Sequence, residues 1–327
     1  MMKRTNKVSS IDLFTNQANL NFKKHVKTQS KKALEIIDNM IDWDLLIKPI
    51  KKAIDKERSD YVAGRHSYDI KVIVKCFILQ SIYGLSDPRL EEEIADRRSF
   101  QIFLDIYSGD SIPDETTICR YRELFSRLEL DRMLLDSFNK QLKQRNMILE
   151  KVTLVDATIK QAQATPKSKR DKDARFTKKR GKTTYGYKGH IGVDYGTEVI
   201  HSAEFTPANV HDSEMFDTAL HGKEEAVYAD KGYAKEQRKK DLESKGKFCG
   251  ILEKGYRNRP LKKMQIARNK QLSTVRNVVE RPFAYMKNVL GYDRCSYYDL
   301  ARNRFEFLIN CFVYNIRKCL TLSLGIA

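Results

Sequence analysis

The chain has 327 residues, enough for one large domain or two ordinary ones, so its core need not depend on disulfides or metal ions. Its 61 Lys and Arg residues against 43 Asp and Glu residues give a formal charge of +18, which exceeds what solubility requires and predicts a polyanionic partner. The two best apolar runs, 72–85 and 305–327, are interrupted by polar or charged residues, so we expect no membrane span and no membrane partner.

The first 147 residues are predicted to be helical, because apolar positions recur there at steps of three and four. Asp87 precedes Pro88 and is predicted to cap a helix with proline in its first turn. Short helices joined by tight turns are compatible with a helix-turn-helix DNA reader and equally with a plain bundle. The predicted helices are 30–41, 67–83, 87–104, 114–128 and 131–144.

Strands are predicted from about residue 148 onward, so the fold class is α+β or mixed α/β, with a helical N-terminal part before a mixed sheet. Two alternating segments, 190–193 and 198–206, flank a turn at 194–197 and predict a hairpin. The other predicted strands are 152–155, 225–229 and 247–252, and the closing helices are 271–290 and 303–322.

The cysteines and the start of the chain bear on its location. The six cysteines contain no Cys-x-x-Cys pair, and no histidine stands at a zinc-binding spacing from them, so buried, reduced thiols are predicted. The first 21 residues hold no continuous apolar stretch, so no secretory signal is predicted. We therefore expect a cytoplasmic protein.

Almost all of the excess charge lies in two segments. Residues 166–190 carry a net charge of +8, and residues 254–290 carry +9. A single basic run often marks only a solvated surface. Because both segments lie beside acids at strand or helix positions, we predict phosphate contacts; in the first segment these are assigned to Lys178, Lys179, Arg180 and Lys188.

Three acids are candidates for chemistry. Asp156 and Asp230 each follow a predicted apolar strand, where a carboxylate can meet solvent in a cleft; the alternative is that each caps the next turn. Glu280 is the only acid among residues 254–290. Steps of four and seven place Arg276, Glu280 and Lys287 on one helix face, although Glu280 could equally be an exposed salt-bridge partner. Pro282 is predicted to kink this helix.

Three converging carboxylates in a basic cleft predict an oxygen-only site for two hard cations, which we assign to Mg²⁺. Such a pair of ions can activate a water molecule or a 3′-hydroxyl on one side and stabilise the leaving oxygen on the other. Uncatalysed phosphodiester cleavage is slow, so an enzyme needs strong electrostatic stabilisation of the transition state.

The chain resembles bacterial insertion-sequence transposases of the DDE type, in the group called insertion-sequence five. The resemblance covers roughly residues 60–315, with 64–125 as the helical N-terminal domain. It rests on four blocks whose order and spacing are specific: 155–158 (Val-Asp-Ala-Thr), 185–190 leading to 206–212, 228–233 (Tyr-Ala-Asp-Lys-Gly-Tyr), and Arg276-x3-Glu280-x6-Lys287.

The resemblance implies a ribonuclease H-like core in which Asp156, Asp230 and Glu280 bind two Mg²⁺ ions, with Mn²⁺ as a substitute. It also implies that Arg276 and Lys287 contact the DNA backbone near the cleavage site. One departure is that Ser273 stands where the family often has tyrosine three residues before the arginine.

The resemblance implies a domain division as well: a basic N-terminal segment with a lead-in helix (1–60), a helical domain that binds DNA ends (61–147) and a catalytic domain (148–327). The implied partners are double-stranded DNA, as terminal inverted repeats and target, and a second copy in a homodimeric synaptic complex. The protein would associate with the prokaryotic nucleoid when bound to DNA.

Other residues in the same blocks have simpler interpretations. His190, His211 and Asp212 are interpreted as structural, because Mg²⁺ does not favour imidazole. Tyr185 and Tyr187 lie between Lys182 and Lys188 and could stack on bases while the lysines contact phosphates, or they could be strand residues packed on the core.

Three functions remain open at this point. The first is an active transposase that cuts the element's ends and joins their 3′-hydroxyls to target DNA. The second is a metal-dependent nuclease of the same fold, and the third is an inactive DNA-binding derivative. The presence of all three acids argues against the third.

Overall fold

The computed structural model describes residues 28–58, 68–107, 109–168, 170–179, 181–256 and 258–323. The helical first part of the chain contains α1 (Gln29–Met40), α2 (Trp43–Arg58), α3 (Ile70–Tyr83), α4 (Asp87–Asp96), α5 (Arg98–Leu104), α6 (Glu115–Arg127) and α7 (Leu130–Gln144).

Capping residues explain where the helices begin and end, and one predicted cap was wrong. The Asp69 side chain accepts a hydrogen bond from the Lys71 amide at the start of α3, and Gly84 ends that helix in the left-handed conformation at φ 63°. Helix α4 is capped by Ser86, not by Asp87 as predicted. Asp87 instead occupies the first turn, where its negative charge suits the helix dipole.

The helical predictions differ from the structure in two places. The predicted helix 87–104 is two helices, because Arg97 is extended (φ −92°, ψ 104°) and separates α4 from α5. Helix α2 was not predicted, and Pro49 within it is a helix-breaking signal. Its buried residues Leu46, Ile50 and Ile54 recur every four residues and attach it to the core.

The second part of the chain is built on one mixed sheet. Strand β1 pairs antiparallel with β3 and parallel with β5, and β5 pairs parallel with β6. Both β2 and β4 pair antiparallel with β3, along different stretches of it, which confirms the predicted hairpin between β3 and β4. The strands are β1 (Val152–Gln161), β2 (Arg175–Lys179), β3 (Lys182–Asp194), β4 (Ile200–Pro207), β5 (Ala226–Ala229) and β6 (Phe248–Ile251).

The closing helices are α8 (Glu236–Ser244), α9 (Lys263–Arg276), α10 (Glu280–Asn288) and α11 (Leu300–Ser323). The predicted helix 271–290 is interrupted by a 3₁₀ turn at Asn277–Val279. Because α10 begins at Glu280, Pro282 lies in its first turn, where a missing amide proton costs little. The helix is therefore interrupted before the proline and not at it, so the predicted kink at Pro282 was misplaced.

Helix α11 joins the helical part to the sheet. The ring of Phe305 packs edge-on against Phe77 of α3 at 4.8 Å between centroids. The Asn315 side chain accepts a hydrogen bond from the Ile200 amide at 2.9 Å and donates one to the Asn139 side chain at 2.9 Å. One hydrophobic core consequently runs from α1 through the sheet to α11.

Two smaller predictions can be compared with the structure. All six cysteines are free, and all except Cys119 are buried, as predicted. Within the residues that the structure describes, no helix is long and apolar enough to cross a membrane.

Candidate active site

The register of the sheet brings Asp156 and Asp230 to the same edge. The last parallel pair between β1 and β5 is Val155 with Ala229. Asp156 directly follows the first of these residues, and Asp230 directly follows the second. Asp230 directly follows β5, as predicted. Asp156 does not follow its strand: β1 continues to Gln161, because its other edge pairs with β3 as far as Gly186.

Each aspartate is oriented by a backbone amide. The Asp156 Oδ1 atom accepts a hydrogen bond from the Ala157 amide at 2.8 Å. Asp230 caps the 3₁₀ turn Lys231–Tyr233, and its Oδ1 atom accepts from the Lys231 amide at 2.7 Å. The capping interpretation is thus correct for Asp230, and it does not conflict with a place at the edge of a cleft.

Arg276 connects two of the three acids. Its Nη2 atom donates to Asp156 Oδ2 at 2.6 Å, and its Nη1 atom donates to Glu280 Oε1 at 3.3 Å. The 3₁₀ turn between α9 and α10 keeps Arg276 and Glu280 on the same side. The side chains of Asp156 and Arg276 are only 13% and 14% exposed, whereas that of Glu280 is 60% exposed.

All three acids line one cavity of about 1320 Å³. Its wall also carries many cations, so the cavity surface combines acidic groups with a basic lining that suits a phosphodiester backbone. The basic residues that line it are Lys178, Lys179, Lys182, Lys231, Lys254, Arg276 and Lys287.

The environment of Asp156 favours additional positive charge. Burial is the largest influence on this carboxyl and raises its pKa, although Arg276 and the Ala157 amide act in the opposite direction. A buried carboxylate whose pKa stays raised beside an arginine is incompletely compensated. A divalent cation would stabilise its charged form.

The three carboxylates are suitable ligands for a hard cation, but Arg276 is bound to two of them. Carboxylate oxygens are the ligands that Mg²⁺ prefers. In the described part of the chain, however, no three His, Cys, Asp or Glu side chains lie close enough together to hold a metal ion. The Arg276 guanidinium stands between Asp156 and Glu280, so shared ligation requires Asp156 to leave this arginine.

The residues that were predicted to contact DNA differ in their exposure and in their position relative to the cavity. Lys178, Lys179 and Lys287 line the cavity, whereas Arg180 lies outside the described residues. Lys188 is 8% exposed, and its Nζ atom lies 2.8 Å from both the Val210 carbonyl oxygen and Asp212 Oδ1. Its predicted phosphate contact therefore does not agree with the structure, because its charge is neutralised inside the fold.

The tyrosines and histidines of the same segment serve the fold. Tyr187 is buried, donates to Asp171 Oδ1 at 2.6 Å and stacks on Phe205, so the core interpretation is correct for it. Tyr185 donates its hydroxyl to the Asp171 carbonyl at 3.0 Å. The ring of His190 is hydrogen-bonded to Thr206 at 3.0 Å, in agreement with a structural role.

His211 is structural as well: its ring Nδ1 atom accepts a hydrogen bond from the Ser213 amide. Sequence reasoning did not single out Lys231 and Lys254, which also line the cavity. Their signals were present, since Lys231 directly follows Asp230 and Lys254 begins the second basic segment.

Comparison with known proteins identifies the family. The model of the family described as "Transposase DDE domain" matches residues 148–316, just over half of the chain, and the model described as "Transposase domain (DUF772)" matches residues 20–124.

Among solved structures, the fold is similar to that of the piggyBac transposase, determined by cryo-EM in a synaptic complex with hairpin DNA. The TM-score is 0.50 at 11% identity, over 89% of this chain and 75% of that chain. At this identity the likeness concerns the fold alone. On the match of more than half its length, the chain belongs to the transposase DDE domain family and is a transposase of the kind found in insertion sequences.

Proposed function

We propose that this transposase moves an insertion sequence of the insertion-sequence-five group by cutting its DNA ends and joining their 3′-hydroxyls to target DNA. The observation that carries the proposal is the single cavity whose lining includes Asp156, Asp230 and Glu280 together with several lysines. Carboxylates in a cavity with a basic lining suit a metal-assisted reaction on a phosphodiester.

In this proposal Asp156, Asp230 and Glu280 would hold two Mg²⁺ ions, with Mn²⁺ as a substitute. When bound, the ions supply an activated oxygen nucleophile and stabilisation of the leaving oxygen. The lysines that line the cavity would hold the phosphates on both sides of the scissile bond. Arg276, which donates to both Asp156 and Glu280, would compensate these carboxylates when no ion is bound.

We further propose that different parts of the chain have different functions. The mixed sheet, with Asp156 within β1 and Asp230 directly after the neighbouring β5, supports a ribonuclease H-like catalytic domain at 148–327. The helical domain 61–147 would bind the terminal inverted repeats, with 1–60 as a basic lead-in segment. Two copies would act as a homodimer on DNA, in the cytoplasm and at the nucleoid of a prokaryote.

The experiment uses labelled element ends, a target plasmid and either Mg²⁺ or a chelator. The variants Asp156→Asn, Asp230→Asn and Glu280→Gln should bind the ends but lose cleavage. Glu253→Gln is the matched control, because Glu253 lines the same cavity but is engaged by Arg268 and Gln265, and it should retain cleavage. Full cleavage by any of the three variants would remove that acid from the site.

The same assay distinguishes the other candidate functions. Cleavage that requires metal without strand transfer would indicate a nuclease of the same fold. End binding by the wild-type protein without any cleavage would indicate an inactive derivative.

A further inference from the structure

An aromatic ring is exposed on the hairpin that β2 forms with β3. Phe176 is 56% exposed and lies on the same face of β2 as Lys178, because side chains two residues apart in a strand share a face. Lys178 lines the cavity that also contains the three acids. Two residues of a strand span about 7 Å, so Phe176 lies directly beside this cavity.

The ring of Phe176 is held on one side by a second aromatic ring. Phe176 stands opposite Tyr185 in the antiparallel register, and the two ring centroids are 5.0 Å apart. The Tyr185 hydroxyl donates to the Asp171 carbonyl oxygen at 3.0 Å, which restricts the orientation of the tyrosine. Such a cross-strand pair stabilises a hairpin. It nevertheless leaves more than half of Phe176 open to solvent.

The surroundings of the exposed ring are basic. Residues 175–185 contain five cations and no acid. The two acids that precede them in the chain are engaged inside the fold, since Asp171 accepts a hydrogen bond from the Tyr187 hydroxyl and Asp173 accepts one from the Leu300 amide. The exposed cations of the hairpin that the structure describes are Arg175, Lys178, Lys179 and Lys182.

This combination of charge and ring selects one form of nucleic acid. In duplex DNA the faces of each base are covered by the neighbouring base pairs, so a protein ring can stack only on an unpaired or terminal base. Cations along a strand together with an exposed aromatic ring are the combination that holds single strands. Contact with a duplex backbone would require the cations but not the phenyl ring.

We propose that Phe176 stacks on an unpaired base of the DNA end whose scissile phosphate occupies the adjacent cavity, while Lys178 and Lys179 contact the flanking phosphates. The inference rests on the proposed function and adds to it a binding site for single-stranded DNA next to the scissile bond. Tyr185 is the support that keeps the Phe176 ring in place.

The test is fluorescence anisotropy of the full-length protein with a labelled oligothymidine and with a labelled duplex of the same length, in the presence of a chelator. Phe176→Ala removes the ring. Phe176→Ile keeps an apolar side chain that favours a strand but has no aromatic face, and Phe176→Trp enlarges that face. Phe248→Ala is the matched control, because Phe248 is 49% exposed and packs on the Tyr228 ring, but lies on β6 outside the cavity lining.

We expect Phe176→Ala and Phe176→Ile to bind oligothymidine about 5- to 150-fold more weakly than wild type. Phe176→Trp should bind it at least as tightly as wild type, and Phe248→Ala should bind it with wild-type affinity. The duplex affinity and the slope of log K against log salt should stay at the wild-type values in all variants, because stacking on a base neutralises no phosphate.

Four results would overturn the inference. They are a wild-type protein that does not bind oligothymidine, wild-type affinity in Phe176→Ala, equal losses on single-stranded and duplex DNA, and full affinity in Phe176→Ile, which would show that the ring only holds the hairpin. Size-exclusion chromatography in which Phe176→Ala dissociates a wild-type dimer would also overturn it, by assigning the ring to a contact between copies. Cleavage and strand transfer by the wild-type protein test the proposed function separately.

Discussion

Arg276 and Asp156 are 120 residues apart in the chain, yet the guanidinium of the first lies 2.6 Å from the carboxylate of the second. The same arginine reaches Glu280 at 3.3 Å. An arginine that bridges two acids of the proposed metal site stabilises them while no ion is present. The pair thus links the stability of the free protein to the geometry of its cavity.

Replacement of this arginine should destabilise the metal-free protein. Arg276→Ala leaves Asp156 largely buried without its cation, and we expect the free energy of unfolding to fall by about 2–3 kcal/mol, below the ~3–5 kcal/mol typical of fully buried pairs. Urea unfolding with a chelator present measures the change. Arg281→Ala is the control, since Arg281 is 65% exposed and should cost less than about 1 kcal/mol.

A double variant checks the cause. Asp156→Asn added to Arg276→Ala should recover most of the lost stability, because the unpaired charge is then absent. If Arg276→Ala proves as stable as Arg281→Ala, the pair does not stabilise the fold.

A lower pH should reduce the free energy of unfolding, because His190 is buried in its neutral form. Burial lowers the pKa of this histidine to about 4, with Lys188 acting in the same direction and Asp212 against it. The unfolded chain, with a histidine pKa of about 6.5, therefore binds a proton first as the pH falls. Stability should be lost between about pH 6.5 and pH 4, with a slope of up to about 1.4 kcal/mol per pH unit from this residue.

Urea unfolding of wild type and His190→Gln between about pH 4 and pH 7.5 isolates the contribution of His190 to the pH dependence of stability. The two stability curves should converge as the pH falls from 6.5 to 4 and run parallel above about pH 7.5. Parallel curves throughout would show that His190 does not titrate in this way.

Removal of the Lys287 charge should change the salt dependence of DNA binding. If Lys287 contacts one phosphate, Lys287→Ala should bind element ends more weakly and reduce the slope of log K against log salt by about 0.9. Fluorescence anisotropy at several salt concentrations measures this slope. Lys239→Ala, on the exposed surface of α8 outside the cavity lining, should leave it unchanged, and an unchanged slope in Lys287→Ala would exclude the contact.

Lys188 should behave in the opposite way. Because its ammonium is buried against Asp212 and the Val210 carbonyl, Lys188→Met should lower the free energy of unfolding by about 1–3 kcal/mol. The slope of log K against log salt should stay at the wild-type value. A stable variant with a lower slope would return Lys188 to the DNA-binding surface.

Local patterns were sufficient to predict much of the fold. The periodic apolar positions indicated most of the helices, and the alternation around residues 194–197 indicated the hairpin. They failed where contacts from elsewhere in the chain decide the outcome. Strand β1 extends past Asp156 only because β3 is long enough to pair with it, and no feature of residues 152–161 alone reveals that partner.

The sequence by itself determined the chemistry available to this protein: three carboxylates, two basic segments and the order of the blocks that mark its family. Tertiary structure decided which charges meet. The register of β1 and β5 aligns Asp156 with Asp230, and the turn at Asn277–Val279 directs Arg276 toward Asp156. Burial turns Lys188 into an internal counterion. Residue type sets the charge of a side chain, but only the distance and burial imposed by the fold set its partner.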